Sequence, residues 1–172
     1  MRYVRTREVH LDFHTSEHIP YIGQDYDVDA FADTFAQAHV NSVTVFAACH
    51  HGWLYYPSQQ HPEQIHPRLA RPDLLKEQVQ ALHARDIKAP VYVTVQWSHY
   101  LADTRPEWLI RKPDGSHEGG PLHEPGFYQS LCVNTSYAQY LRDLVSEISD
   151  YLGDDLDGWF FDIVGIRPCW CA

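Results

Sequence analysis

A single carboxylate closes a run of bulky apolar residues in Asp157-Gly-Trp-Phe-Phe-Asp162. Such a run presents its acid at the open end of a sheet of parallel strands, where barrel enzymes keep their catalytic groups. An anion at the mouth of an aromatic pocket suits sugar chemistry, because an oxocarbenium-like transition state must be met by a charge close to the anomeric carbon. Asp162 is therefore the candidate nucleophile. The competing reading is a cap on the next segment or an ion pair with Arg167.

Three polar residues alternate in His10-Leu-Asp12-Phe-His14, so on a strand they project to one side. On one reading His14 binds a substrate hydroxyl while His10 and Asp12 form a hydrogen-bonded layer beneath it. On a second, all three hold a metal ion for a metal-dependent hydrolase. On a third they are a satisfied polar network that touches no ligand. His50 and His51 follow the next strand-like run directly, and neutral imidazoles both donate to and accept from sugar hydroxyls. Trp53, Tyr55 and Tyr56 come next and offer stacking surface, as does Trp97 after the third run. The substrate-binding candidates are thus His14, His50, His51, Trp53, Tyr56 and Trp97. Cys169 and Cys171 lie one residue apart, a spacing that zinc tolerates, but a closed zinc site needs about four ligands. The expected reaction itself calls for no cofactor.

The elements that must position these groups follow from the apolar periodicity. Short strands are expected over residues 8–14, 42–48, 89–96 and 158–162, each rich in β-branched or aromatic residues. Helices are expected over residues 28–39, 72–85 and 137–151, where apolar residues recur on one face. The alternation of strand and helix argues an α/β fold with a parallel sheet. Connections after the helices are short, whereas residues 50–71 and 97–134 form long segments after strands. Long loops confined to the C-terminal ends of strands are the layout of a TIM-like (β/α)8 barrel enzyme. Four strands do not close eight, so residues 1–172 are expected to be the N-terminal portion of a larger catalytic domain. Open edges on such a half-barrel predict that the chain alone associates, as a homo-oligomer or an aggregate, or lacks activity.

Composition sets bounds. A net charge of −10 argues against nucleic acid as a partner, since phosphate binding needs a basic face. No run approaches the roughly 20 apolar residues of a spanning helix, so no membrane association is expected. The first residues lack the apolar core of a signal peptide and the four cysteines do not read as a disulfide framework, which makes a cytoplasmic location the default. Twelve histidines and five tryptophans suit a carbohydrate partner.

Three stretches resemble the alpha-L-fucosidase-like glycoside hydrolases and their relatives. Val40-Asn-Ser-Val-Thr-Val-Phe-Ala-Ala-Cys-His-His51 is similar to the fucosidase strand that ends in a His-His pair. Leu82-His-Ala-Arg-Asp-Ile-Lys-Ala-Pro-Val-Tyr-Val-Thr-Val-Gln-Trp-Ser98 is similar to the next helix end and strand, and Leu156-Asp-Gly-Trp-Phe-Phe-Asp162 to the strand that ends in the nucleophile. The resemblance implies a (β/α)8-like barrel and a retaining mechanism with Asp162 as nucleophile. It also implies His50 and His51 as sugar ligands, with His14 at the end of the first strand. The chain departs from that pattern at Gly52, where Asp is usual, at Ile163, where Gly is usual, and at His-Thr-Ser after the first strand in place of His-Trp-Gly. These departures leave the sugar open. The acid/base residue has no candidate within the chain.

Overall fold

The structure is a computed structural model and describes residues 5–120 and 128–171. Strands β1 (Glu8–His10), β2 (Ser42–Ala48), β3 (Val91–Thr94) and β4 (Trp159–Asp162) make one parallel sheet in the order β1-β2-β3-β4. Helices α1 (Val28–Gln37), α2 (Leu74–His83), α3 (His99–Thr104) and α4 (Tyr137–Leu152) lie between them in the chain. The four strands form a curled half-barrel, the arrangement of the N-terminal half of a (β/α) barrel.

Both faces of β2 and β3 are covered, which is why these two central strands read as apolar runs without alternation, whereas β1 and β4 stay partly exposed. Val43, Val45 and Ala47 of β2, with Val91 and Val93 of β3, pack on Ala32 and Phe35 of α1, Leu75, Val79 and Leu82 of α2, and Leu144 and Ile148 of α4. The other side of the sheet gathers Phe46, Tyr92, Tyr55 and Cys49, with Phe160 packed against them. Register fixes that inner row: Phe46 pairs with Tyr92, Tyr92 with Phe160, and Thr94 with Asp162.

A half-buried acid and a buried one pin the sheet to its surroundings. Asp157, just before β4, accepts hydrogen bonds from the Lys88 ammonium at 2.7 Å and the Ala89 amide at 2.8 Å, and lies 2.6 Å from His83 Nε2. The carboxylate of Glu147, on α4, accepts from the Tyr56 and Ser58 hydroxyls and the Gln59 and Gln60 amides, at 2.6–2.9 Å. It therefore ties the long segment after β2 to the outer helix layer.

The elements differ from the sequence reading mainly at their ends. The first strand stops at His10 because ladder pairing with β2 extends only over residues 8–10, and residues 11–14 continue outside the ladder. β3 is likewise shorter than expected. Helix α3 was not expected. It begins where the Ser98 hydroxyl accepts the Leu101 amide at 3.2 Å, inside what the sequence suggested was loop. The remainder of that segment includes residues 121–127, outside the described residues.

Candidate active site

The strands deliver their polar ends to one side of the half-barrel. Asp162 is the last residue of β4, and its Oδ2 accepts the Tyr92 hydroxyl at 2.8 Å. Tyr92 is fully buried and stacks on Phe46 with centroids 4.0 Å apart, which fixes the hydroxyl's direction. Burial, followed by the hydrogen bond to Asp162, pushes the Tyr92 phenol far above its ordinary value, so it stays a donor.

His14 stands across the same basin. Its ring lies edge-on to Phe46 and Tyr92 and parallel to the His50 ring, with centroids 3.6 Å apart and planes 3° from parallel. The His50 amide donates to His14 Nδ1 at 3.4 Å, so in the neutral ring the proton sits on Nε2. That nitrogen faces Asp12 Oδ1 at 3.6 Å, and the same oxygen is 3.1 Å from His10 Nε2. Both stacked rings are held neutral. Burial lowers the His14 value despite the opposing pull of Asp12 and Asp162, and burial together with His14 and His51 pushes His50 down to about 3.

The segment carrying His14 has no ladder to hold it, and Tyr55 supplies the restraint. The Tyr55 hydroxyl accepts the Thr15 amide at 3.2 Å and donates to the Phe13 carbonyl at 3.1 Å, bracketing His14 on both sides. On the far wall, Tyr128 comes within 4.7 Å of His50 and stacks on Trp97 at 5.3 Å, centroid to centroid. His51 touches the His50 ring edge at 4.9 Å.

Asp162, His14, His50, His51 and Trp97 are thus joined by a continuous run of ring contacts and hydrogen bonds. Trp53 packs against the inner cluster from its edge, its indole N–H directed at Glu17 and its ring against Tyr100. Tyr56 lies elsewhere. It is buried in the core between sheet and helices with its hydroxyl on Glu147, because the segment after β2 alternates and sends Leu54 and Tyr56 outward while Tyr55 points in. Arg167 pairs with Glu118 and leaves Asp162 to Tyr92. His10, Asp12 and His14 share one side as expected, with Asp12 between the two rings. Among the described residues the metal-ligand atoms that converge within 4.8 Å belong to Cys132, Cys169 and Cys171 instead. Tyr92 and Tyr128 carry the strongest contacts that the sequence reading missed. Tyr92 was discoverable as the inward residue two places before a strand end, while Tyr128 had no local signal.

Residues 27–163 match the model of a family described as hypothetical glycosyl hydrolase 6. The chain belongs to that family. Among solved structures it is similar to the alpha-L-fucosidase isoenzyme 2 from Paenibacillus thiaminolyticus, with 43% identity and a TM-score of 0.87 over 98% of this chain and 25% of that one. A hypothetical protein from Ruminiclostridium thermocellum shares 13% identity at a TM-score of 0.63, covering 86% of this chain and 75% of its own. The Thermotoga maritima alpha-fucosidase in complex with fucose shares 19% at 0.58, covering 82% and 29%. The last two show likeness of fold. This chain spans a quarter of the length of the Paenibacillus enzyme. No curated protein matches it. The fucosidase-like resemblance and the half-barrel expected from the sequence both hold. No described helix is long and apolar enough to cross a membrane.

One departure from the fucosidase pattern has a local physical reason, and another runs against its backbone. Gly52 has φ +96°, and a Cβ there would fall 2.5 Å from Ser98 Oγ and 2.7 Å from Tyr100 Cβ. The turn that follows the His pair is closed too tightly against α3 for any side chain. Ile163 takes φ +56° directly after Asp162, a left-handed conformation that a β-branched residue adopts only at a cost.

Proposed function

We propose that this chain carries the nucleophile of a retaining glycoside hydrolase, with Asp162 in that role. The observation that carries the reading is the Asp162 carboxylate at the end of β4. It is oriented by Tyr92 and faces a basin of neutral histidines and aromatic rings. Membership of a glycosyl hydrolase family supports the reaction class. The 43%-identical relative is named an alpha-L-fucosidase, which makes α-L-fucosides the first substrates to try.

In this reaction Asp162 attacks the anomeric carbon as the bond to the leaving oxygen breaks, giving a covalent glycosyl ester. Water then cleaves that ester with a second inversion, so configuration is retained. Tyr92 holds Oδ2 and leaves the other oxygen to attack. His14, His50 and His51 are suited to the sugar hydroxyls, because a neutral imidazole offers one donor and one acceptor. Trp97 and Tyr128 supply an apolar wall. An acid/base carboxyl roughly 5–5.5 Å from Asp162 completes such a mechanism, and none is assigned among these residues. The open outer edges of β1 and β4, and the quarter-length match, support reading residues 1–172 as the N-terminal portion of a larger catalytic domain.

The test is stereochemical. NMR of the first sugar released by the protein that carries this chain should show the substrate's own anomer. Asp162→Gly should abolish turnover, and added azide should restore it with formation of the inverted glycosyl azide. Release of the opposite anomer by the native protein, or near-native turnover in the Gly variant without azide, contradicts the assignment.

A further inference from the structure

Three of the four cysteines converge although they come from distant parts of the chain. The sulfurs of Cys132, Cys169 and Cys171 all lie within 4.8 Å of one another, with those of Cys132 and Cys171 3.7 Å apart. Three ligands at about 2.3 Å from a tetrahedral zinc ion stand about 3.8 Å from each other, whereas disulfide sulfurs are about 2.05 Å apart. The 3.7 Å separation is too long for a disulfide and matches the spacing that a shared ion requires. Cys49 offers the contrast: it is fully buried, lies outside that cluster, and directs its thiol at the Thr15 carbonyl.

A backbone donor reaches the cluster. The Arg111 amide donates to Cys169 Sγ at 3.4 Å. Such N–H···S bonds orient metal-bound thiolates and moderate their charge. Backbone pairing brings the two sources of ligand together before any ion arrives: the Trp170 amide donates to the Arg111 carbonyl, and the Cys132 amide to the Trp108 carbonyl.

We propose that Cys132, Cys169 and Cys171 bind one zinc ion, whose fourth position is taken by solvent. Binding displaces the thiol protons to water and changes no oxidation state. The ion clamps the segment that follows β4 onto the long segment that follows β3, so it fixes the chain's path just beyond Asp162. This site is independent of the glycosidase reading and would stand if Asp162 proved not to be the nucleophile.

The protein, purified under reductant without chelator, should contain one zinc per chain by elemental analysis. Titration with an organomercurial should release it to a chromophoric chelator as three thiols are consumed. Cobalt substitution should give the intense visible bands and sulfur-to-metal charge transfer of a tetrahedral thiolate site. Cys171→Ser and Cys132→Ser should each lose the metal while Cys49→Ala keeps it. Should Cys132→Ser fail to fold, the more exposed Cys171 carries the same test. Substoichiometric zinc with three freely reactive thiols, a Cys132–Cys171 disulfide in the reduced preparation, or zinc retained in folded Cys171→Ser would overturn the proposal.

Discussion

Tyr92 holds one oxygen of Asp162, so the acid is aimed before any substrate arrives. Tyr92→Phe keeps the ring stack on Phe46 and removes only the hydroxyl. Loss of one hydrogen bond to a charged group predicts a fall in kcat of about tenfold or somewhat more, with little change in melting temperature. Steady-state kinetics beside a thermal melt checks this. The stacked pair His14 and His50 gives a pH dependence of definite sign. Both values are depressed in the folded protein, so the stability they confer is complete above the unfolded value of 6.5. For His50 it is lost as pH falls from there towards about 3. Urea melts at stepped pH should therefore show stability declining below 6.5, and His50→Asn should flatten that decline. Asp162, His14, His50 and His51 were legible because polar residues at the ends of apolar runs stand out against a buried sheet. Tyr92 was hidden inside such a run, where a tyrosine and a phenylalanine look alike.

At the scale of elements, Glu147 is the tie between α4 and the segment that carries the histidine pair's neighbours. Burial opposes its ionisation, but the Ser58, Gln60, Tyr56 and Gln59 donors outweigh burial and hold the carboxyl below 4.5. That contribution is present above pH 4.5 and is lost as pH falls through the folded value. Glu147→Ala leaves several buried donors unpaired, which predicts destabilisation on the order of 3 kcal/mol in urea unfolding at neutral pH. A loss below 1 kcal/mol would show that water takes over those donors. The order of the four strands and of α1, α2 and α4 was readable from apolar patterning. The early end of β1 was not, because His10, Asp12 and His14 alternate regularly past the point where ladder pairing stops. Tyr55 and Tyr56 are adjacent and chemically alike, and the bridges of Leu54 to Ala48 and Ile65 decide which faces the basin. Cys132 joins Cys169 and Cys171 through tertiary closure, to which spacing along the chain is blind.

Across the whole molecule, the outer edges of β1 and β4 have no strand beside them among the described residues. Phe161 is 46% exposed, Val164 69% and Trp170 57%, on and just after that open β4 edge. Unpaired edges and apolar patches of this kind favour association. Residues 1–172 produced alone should therefore sediment as oligomers or aggregate, and should lack turnover. A monodisperse monomer that hydrolyses aryl fucosides would contradict that reading. The central claim, that Asp162 forms the covalent bond to sugar, has a more direct test. The protein that carries this chain is incubated with a 2-fluoro-fucosyl fluoride, digested and mapped by mass spectrometry. The predicted result is one adduct, on the carboxylate of Asp162, absent from Asp162→Asn. An adduct on any other carboxylate, or steady turnover in Asp162→Asn, would contradict the account.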